Sequence, residues 1–117
     1  MHDDKQMMLL RIYTDENAHI GDKRLVDELV RMARTEGLAG ATALRGRLGF
    51  GGRKGAVHQH HSLGVGDNMP MVVEIVDTEP AVRRFAQTLG DLHHIGLVTL
   101  ERVEVLHGSL PIAEHPE

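Results

Sequence analysis

The stretch from Gly37 to Asp67 constrains the fold of this chain more than any other part of the sequence. Its first part, Leu38 to Leu48, alternates small and large residues and predicts a strand. Its second part is rich in glycine, basic residues and histidine, so it cannot belong to a hydrophobic core. Because the apolar segment Met69 to Val76 again predicts a strand, we interpret the whole stretch as a hairpin with a long flexible loop at its tip.

A helix is predicted before the hairpin, because apolar residues recur at three- and four-residue intervals from Lys23 to Glu36. Asp22 is its predicted N-cap. Gly37 is its predicted end, since glycine readily adopts the left-handed conformation that closes a helix.

A second helix is predicted after the hairpin, capped by Asp77 or Thr78 and stopped at Gly90. Apolar segments at Gln6 to Thr14 and Leu97 to Leu106 predict two further strands. The order strand, helix, strand, strand, helix, strand is that of the ferredoxin-like βαββαβ fold. We therefore predict an α+β protein with a four-stranded antiparallel sheet and both helices on one face.

A chain of 117 residues supports a single domain. We assign residues 6–107 to this domain and residues 49–67 to a loop excursion within it. Residues 1–5 and 108–117 are expected to be a flexible N-terminus and a flexible tail.

The second face of the predicted sheet carries no helix, yet apolar side chains point to it. Leu9 and Tyr13 lie there, together with residues of the last strand. Contiguous exposed apolar surface usually marks an interface, so we predict a homo-oligomer whose sheets face one another. The sequence leaves open the alternative of an antiparallel sheet that is simply wetted on one side.

Composition excludes several classes of function. A net charge of −4 and only 3% aromatic residues disfavour nucleic acid as a partner. The absence of cysteine removes disulfides, thiolate metal sites and thiol nucleophiles. A polar, acidic N-terminus and the lack of an apolar run of about 20 residues predict a cytoplasmic protein.

The sequence resembles a known family over most of its length. The run Gly49-Phe50-Gly51-Gly52-Arg53-Lys54-Gly55 resembles the base of the ligand-sensing T-loop of PII signalling proteins. From Leu9 to Leu106 the chain resembles more closely the PII-like family catalogued as domain of unknown function 190. The motifs that carry this resemblance are Leu10-Arg11-Ile12-Tyr13, Glu36-Gly37-Leu38-Ala39-Gly40-Ala41-Thr42, Gly49-Phe50-Gly51, Glu74-Ile75-Val76-Asp77 and Gly96-Leu97-Val98-Thr99-Leu100-Glu101.

The resemblance implies a homotrimer with ligand clefts between subunits, and regulation of a partner, such as a membrane transporter, rather than catalysis. PII proteins bind adenine nucleotides in these clefts. The PII phosphate-loop glycine before the last strand matches Gly96, but Leu97 replaces the lysine that follows it, which weighs against ATP. The T-loop residues carried over by the resemblance are Gly49, Gly51, Lys54 and Gly55.

The glycine-rich loop is also a candidate anion site on chemical grounds. Successive glycine N–H groups can form a concave donor surface, and Arg47, Arg53 and Lys54 add positive charge. We therefore predict a small anionic ligand, such as a nucleotide, at this loop. The alternative is that the glycines only permit turns and the basic residues are solvated.

Three loop histidines, His58, His60 and His61, suggest a divalent metal as an alternative ligand, because neutral imidazole binds Zn, Ni or Cu. The second functional hypothesis is therefore a metal-binding or metal-tolerance trimer. Copies of His93 or His94 could also meet across such a trimer. No His-Glu-x-x-His pattern accompanies the three loop residues, so a solvated cluster is the alternative.

No catalytic constellation emerges from the sequence. Ser62 and Ser109 lack the surroundings of a known nucleophile. Asp67, Glu74 and Asp77 are explained as a loop residue, a charge on a strand face and a helix cap. We predict that the protein is not an enzyme.

Overall fold

The computed structural model describes residues 6–49 and 68–108. Eight helices and strands follow one another in these residues, and a 3-10 turn (Thr88–Asp91) comes after the second helix. In chain order they are β1 (Met7–Asp15), β2 (His19–Ile20), β3 (Lys23–Arg24), α1 (Leu25–Thr35), β4 (Thr42–Arg45), β5 (Pro70–Thr78), α2 (Glu79–Gln87) and β6 (Leu97–Val103).

Strands β4, β5, β1 and β6 form, in that order, a four-stranded sheet in which every neighbouring pair is antiparallel. The two central strands are therefore β1 and β5, and the short β4 and the longer β6 lie at the edges. This is the strand order of the split βαβ arrangement, so the predicted α+β fold is confirmed. Strands β2 and β3 form a separate two-stranded hairpin.

The core lies on one face of the sheet, between the central strands and both helices. Ile12 pairs with Val73, and Leu10 pairs with Ile75, and all four side chains are buried. They pack in one cluster with buried side chains of both helices, so the two helices cover the same face. The helical members of this cluster are Leu25, Val26, Leu29, Ala33, Val82 and Phe85.

Helix α1 begins later than its apolar pattern suggests, because residues 23–24 are taken up by β3, where they pair with His19 and Ile20. The N-cap position falls on Arg24, so the prediction of Asp22 as N-cap was wrong. The prediction that α1 is closed by Gly37 is confirmed. Gly37 has a φ of 82°, and its N–H donates to the carbonyl of Arg34.

The two strands of the long hairpin are unequal. Within the segment from Leu38 to Leu48, which the sequence predicted to be a strand, only the four residues of β4 form one. All four are exposed. In contrast, β5 extends over nine residues from Pro70, which stands at the start of its strand where the missing donor costs least.

The terminal segments predicted to be flexible, residues 1–5 and 108–117, lie outside the described residues except for Gly108, as does the loop beyond Gly49. Within residues 6–49 and 68–108, neither helix has the length and apolar character needed to cross a membrane.

Candidate ligand site at one end of the sheet

The antiparallel topology brings several loops to the same end of the sheet. Strands β1 and β4 end there, and strands β5 and β6 begin there: Asp15 pairs with Pro70, Arg45 with Met71, and Tyr13 with Leu97. We call this region the loop end, defined as residues 15–18, 45–49, 68–70 and 92–96.

The long loop has an outgoing arm, residues 45–49, and a returning arm, residues 68–70. Hydrogen bonds hold both arms where they leave the sheet. The Gly46 N–H donates to the carbonyl of Pro70 at 2.7 Å, which joins the two arms to each other. The Glu16 N–H donates to the carbonyl of Met69 at 2.8 Å, which joins the returning arm to the end of β1. Buried Asn68 adds a third link, since its Oδ1 accepts from the Asn17 N–H at 2.9 Å. The loop therefore starts from a fixed base.

Positive charge accumulates at this base around a single carboxylate. The Nε of Arg45 donates to both carboxylate oxygens of Glu16, at 3.1 and 3.3 Å. Nη1 of Arg24 lies 3.8 Å from Oε2 of the same carboxylate. Sequence reasoning did not single out Arg24, Arg45 or Glu16, because no local spacing rule connects them.

Three of the predicted ligand residues lie in the described part of the chain. Arg47 is exposed in the outgoing arm, and Gly49 is partly buried beside Pro70. The Gly96 N–H donates to the carbonyl of Tyr13 at 2.8 Å, so this N–H is already engaged and is not a donor for a ligand. The remaining predicted ligand and metal residues, Gly51, Arg53, Lys54, Gly55, His58, His60 and His61, lie outside the described residues.

Within one chain these three residues do not form a single pocket. Arg47 and Gly49 follow β4, whereas Gly96 precedes β6, and these strands are opposite edges of the sheet. Three interstrand spacings separate the edges, which amounts to about 14 Å. The two sets of residues therefore leave the sheet at its two opposite edges.

The turn before β6 contains two adjacent histidines with an unusual backbone. His94 has a φ of 72°, a conformation that non-glycine residues seldom adopt, and its carbonyl accepts from Oγ1 of Thr14 at 2.7 Å. The rings of His93 and His94 are 6.4 Å apart, centroid to centroid. In the described ranges, no three His, Asp or Glu side chains come together in a metal-binding arrangement.

The helix-free face of the sheet, here called the open face, carries apolar residues around a charged centre. A row of four partly buried or exposed side chains crosses it near the loop end, with Leu44 and Leu97 the most exposed. The other two members of this row are Val72 and Tyr13.

At the centre of the open face, Arg11 donates to Glu74 and to Glu101, each at 3.0 Å. The hydrogen bond to Glu74 is the main reason why the pKa of Arg11 lies above its ordinary value, so the guanidinium stays charged. Glu74 thus has the structural role expected of a charge on a strand face.

The fold has a counterpart among solved structures. The structure resembles the crystal structure described as that of a PII-like signaling protein from Thermus thermophilus, with a TM-score of 0.56, 22% sequence identity, and coverage of 85% of this chain and 88% of that chain. The fold is therefore PII-like.

The family follows from the sequence comparisons. Residues 7–105 match the DUF190 family, described as "Uncharacterized ACR, COG1993", and the chain belongs to this family. A UPF0166 protein of Aquifex aeolicus (strain VF5) is 37% identical over 99 residues, which cover 85% of this chain and 92% of that protein. A UPF0166 protein of Methanocaldococcus jannaschii is 28% identical over 102 residues, which cover 86% of this chain and 93% of that protein.

Proposed function

We propose that this protein is a PII-like regulator that binds a small anionic ligand, such as a nucleotide, and acts on a partner through the loop of residues 49–67. The observation that carries the proposal is the construction of the loop base. A glycine-rich, basic segment leaves the sheet from a fixed base that already presents Arg45 and Arg47. Such an arrangement suits a loop that changes conformation when an anion binds, while the sheet stays unchanged.

The location of the predicted ligand residues supports a site shared between subunits. Arg47 and Gly49 lie at the β4 edge and Gly96 at the β6 edge, too far apart to act together in one chain. The β4 edge of one copy placed beside the β6 edge of another would bring the two sets together. The turn at Gly96 would then shape the cleft through its backbone, since its N–H is used internally.

The open face supports self-association, and we propose a homotrimer. In a single chain, Leu97 is 55% exposed and Leu44 is 47% exposed at the two ends of one apolar row. A second copy that covers this face would remove both side chains from water, which is the principal driving force of most protein association.

The proposed partner rests on the resemblance to PII proteins, and the proposed location rests on the polar N-terminus and the lack of a long apolar run. We propose a membrane transporter as the partner class and the cytoplasm as the location. The protein of known structure that is similar in fold is itself described as a signaling protein. The proposal does not include catalysis or binding to nucleic acid.

A thermal-shift and calorimetric panel of nucleotides, with light scattering, tests the proposal. At about 100 times Kd a ligand that binds only the folded state stabilises it by about 2.7 kcal/mol, which raises the Tm by several degrees. We expect Lys54→Gln and Arg47→Gln to reduce this shift. Arg31→Gln is the control, because Arg31 contacts Glu28 on the surface of α1.

Two results would reject this function. A wild-type monomer at micromolar concentration would remove the shared cleft. Silence from every nucleotide, with a response to Zn or Ni that is lost when His58, His60 and His61 are changed to Ala, would favour the metal-binding alternative instead.

A further inference from the structure

Among the described residues of the loop end, Glu16 is the one whose contacts reach both arms of the loop. Its backbone N–H holds the returning arm at the Met69 carbonyl, 2.8 Å away. Its carboxylate holds the outgoing arm through Nε of Arg45, at 3.1 and 3.3 Å. A change at this carboxylate would therefore affect one arm while the backbone bond continues to hold the other.

The charge around Glu16 is unbalanced. Two guanidinium groups, those of Arg24 and Arg45, contact one carboxylate, that of Glu16, so this group of three side chains carries one positive charge more than it neutralises. The excess lies beside the outgoing arm, where Arg47 adds a further positive charge. An additional anion would be attracted to this position.

The exposures of the three side chains show which of them can move. The side chains of Arg45 and Arg24 are 58% and 51% exposed, whereas that of Glu16 is only 21% exposed. The backbone of Glu16 is fixed by its bond to Met69. The arginine side chains can therefore turn towards a ligand in solution, while the carboxylate stays where it is.

We infer that Arg24 and Arg45 form a binding site for an oligophosphate group, and that the Glu16 carboxylate is the resident anion that this group displaces. The site rests on the proposed function, to which it adds Arg24, Glu16 and a link from Arg45 to the loop. A guanidinium binds phosphate oxygens through paired N–H donors, and a phosphate carries more negative charge than a carboxylate. An ion pair as exposed as Arg45–Glu16 is weak, so the exchange is readily reversible.

Exchange of the anion would couple ligand binding to the loop. When Arg45 turns to the phosphate, the outgoing arm loses its side-chain link to Glu16. The bond between Gly46 and Pro70 keeps the arm at the edge of the sheet. Arg47, Leu48 and Gly49, the described residues that follow Gly46, would then change position with the ligand, while the returning arm stays bound to Glu16.

Calorimetric titration with inorganic triphosphate at low ionic strength tests the inference. Glu16→Gln keeps the shape of the side chain and removes the competing charge, so we expect affinity for triphosphate to rise about three- to tenfold. Arg45→Gln and Arg24→Gln should each lower it by a similar factor. Circular dichroism of each variant checks that it is folded.

Glu28→Gln is the matched control. Glu28 also pairs with an arginine, Arg31, and its side chain is 16% exposed, close to the 21% of Glu16, but it lies on α1. Both substitutions change the net charge of the protein equally, so a general charge effect would move both affinities together. We expect Glu28→Gln to stay within a factor of two of the wild type.

The variants separate this inference from the proposed function. If Arg47→Gln and Lys54→Gln abolish binding while the changes at Glu16, Arg24 and Arg45 leave it unaltered, the site inferred here is wrong and the proposed function stands. Equal effects of Glu16→Gln and Glu28→Gln would also overturn the inference, as would a lack of triphosphate binding by both the wild type and Glu16→Gln. The proposed function would then be tested by the nucleotide panel alone.

Discussion

Among the described residues, Asp77 is the one ionisable side chain that is fully buried. Its two carboxylate oxygens accept backbone N–H groups, from Thr78 at 2.6 Å and from Ala39 at 2.8 Å. The second bond ties the segment that enters β4 to the junction of β5 and α2. The N-cap of α2 is Thr78, the second of the two residues predicted for it, and Asp77 instead joins the start of α2 to the segment before β4.

Asp77→Ala should lower the free energy of unfolding by about 1 to 3 kcal/mol, because it leaves two partly buried N–H groups without their acceptor. Urea denaturation followed by circular dichroism measures the loss. Asp27→Ala, at an exposed position of α1, should change stability by no more than about 0.5 kcal/mol. Equal stability of the two variants would contradict the role given to Asp77.

Gly46 is required for a different reason, the close approach of the two loop arms. A Cβ at this position would lie 2.9 Å from Cγ of Pro70 and 3.3 Å from the Pro70 carbonyl oxygen. Gly46→Ala should therefore cost about 1 to 3 kcal/mol. Gly40→Ala meets no atom within 4 Å and should be neutral or slightly stabilising. A Tm for Gly46→Ala no lower than that for Gly40→Ala would reject this reading of the loop base.

At the scale of elements, the sheet is stabilised on one face by two short amphipathic helices. Helix α1 contributes fully buried Leu29, and α2 contributes fully buried Phe85. The edge strands differ from the central ones, because β4 is exposed throughout and β6 exposes Leu97 and Val98 on opposite faces. Stability therefore resides mainly in β1, β5 and the helices, and the edge strands contribute less.

Leu29→Ala should destabilise the protein by about 2 to 5 kcal/mol, since it opens a cavity between α1 and the sheet. Val30→Ala, at a partly buried position of the same helix, should cost clearly less. Chemical denaturation of both variants measures the difference. Similar losses for the two would mean that α1 does not pack on the sheet through Leu29.

At the scale of the whole molecule, the open face and the loop end are two surfaces that no other described element of the chain covers. The open face has apolar side chains around the Arg11–Glu74–Glu101 group. Because both carboxylates pair with one arginine, this charged centre costs less to bury than separate charges would. One negative charge is nevertheless in excess there, so a copy that covers this face must leave Glu101, the more exposed of the two carboxylates, in water or bring a positive charge to it.

Leu97→Glu should convert the proposed trimer to smaller species, because it places a charge in the buried interface. Light scattering at micromolar concentration measures the mass. Ile20→Glu is the control, since Ile20 is also exposed but lies in the β2–β3 hairpin outside the main sheet. A trimer that persists in Leu97→Glu, or that is lost equally in both variants, would refute the open face as the interface.

The sequence by itself determined the order of the two helices and the four strands of the main sheet, the helix-free face of β1 with Leu9 and Tyr13, and the end of α1 at Gly37, but it did not predict the β2–β3 hairpin. These features follow from local periods of two and 3.6 residues and from the backbone freedom of glycine, which short segments already express. The same local reasoning failed at Asp22, because the pairing of β2 with β3 delays the start of the helix.

Only the tertiary structure decided which distant residues meet at the loop base. Glu16 and Arg45, which meet at the loop base, are 29 residues apart, and Ala39 and Asp77, which meet at the opposite end of the sheet, are 38 apart. Strand order placed Arg47 and Gly96 at opposite edges, and strand register committed the Gly96 N–H to Tyr13. The physical reason is that such contacts depend on how strands pair across the sheet, and no period along the chain specifies that pairing.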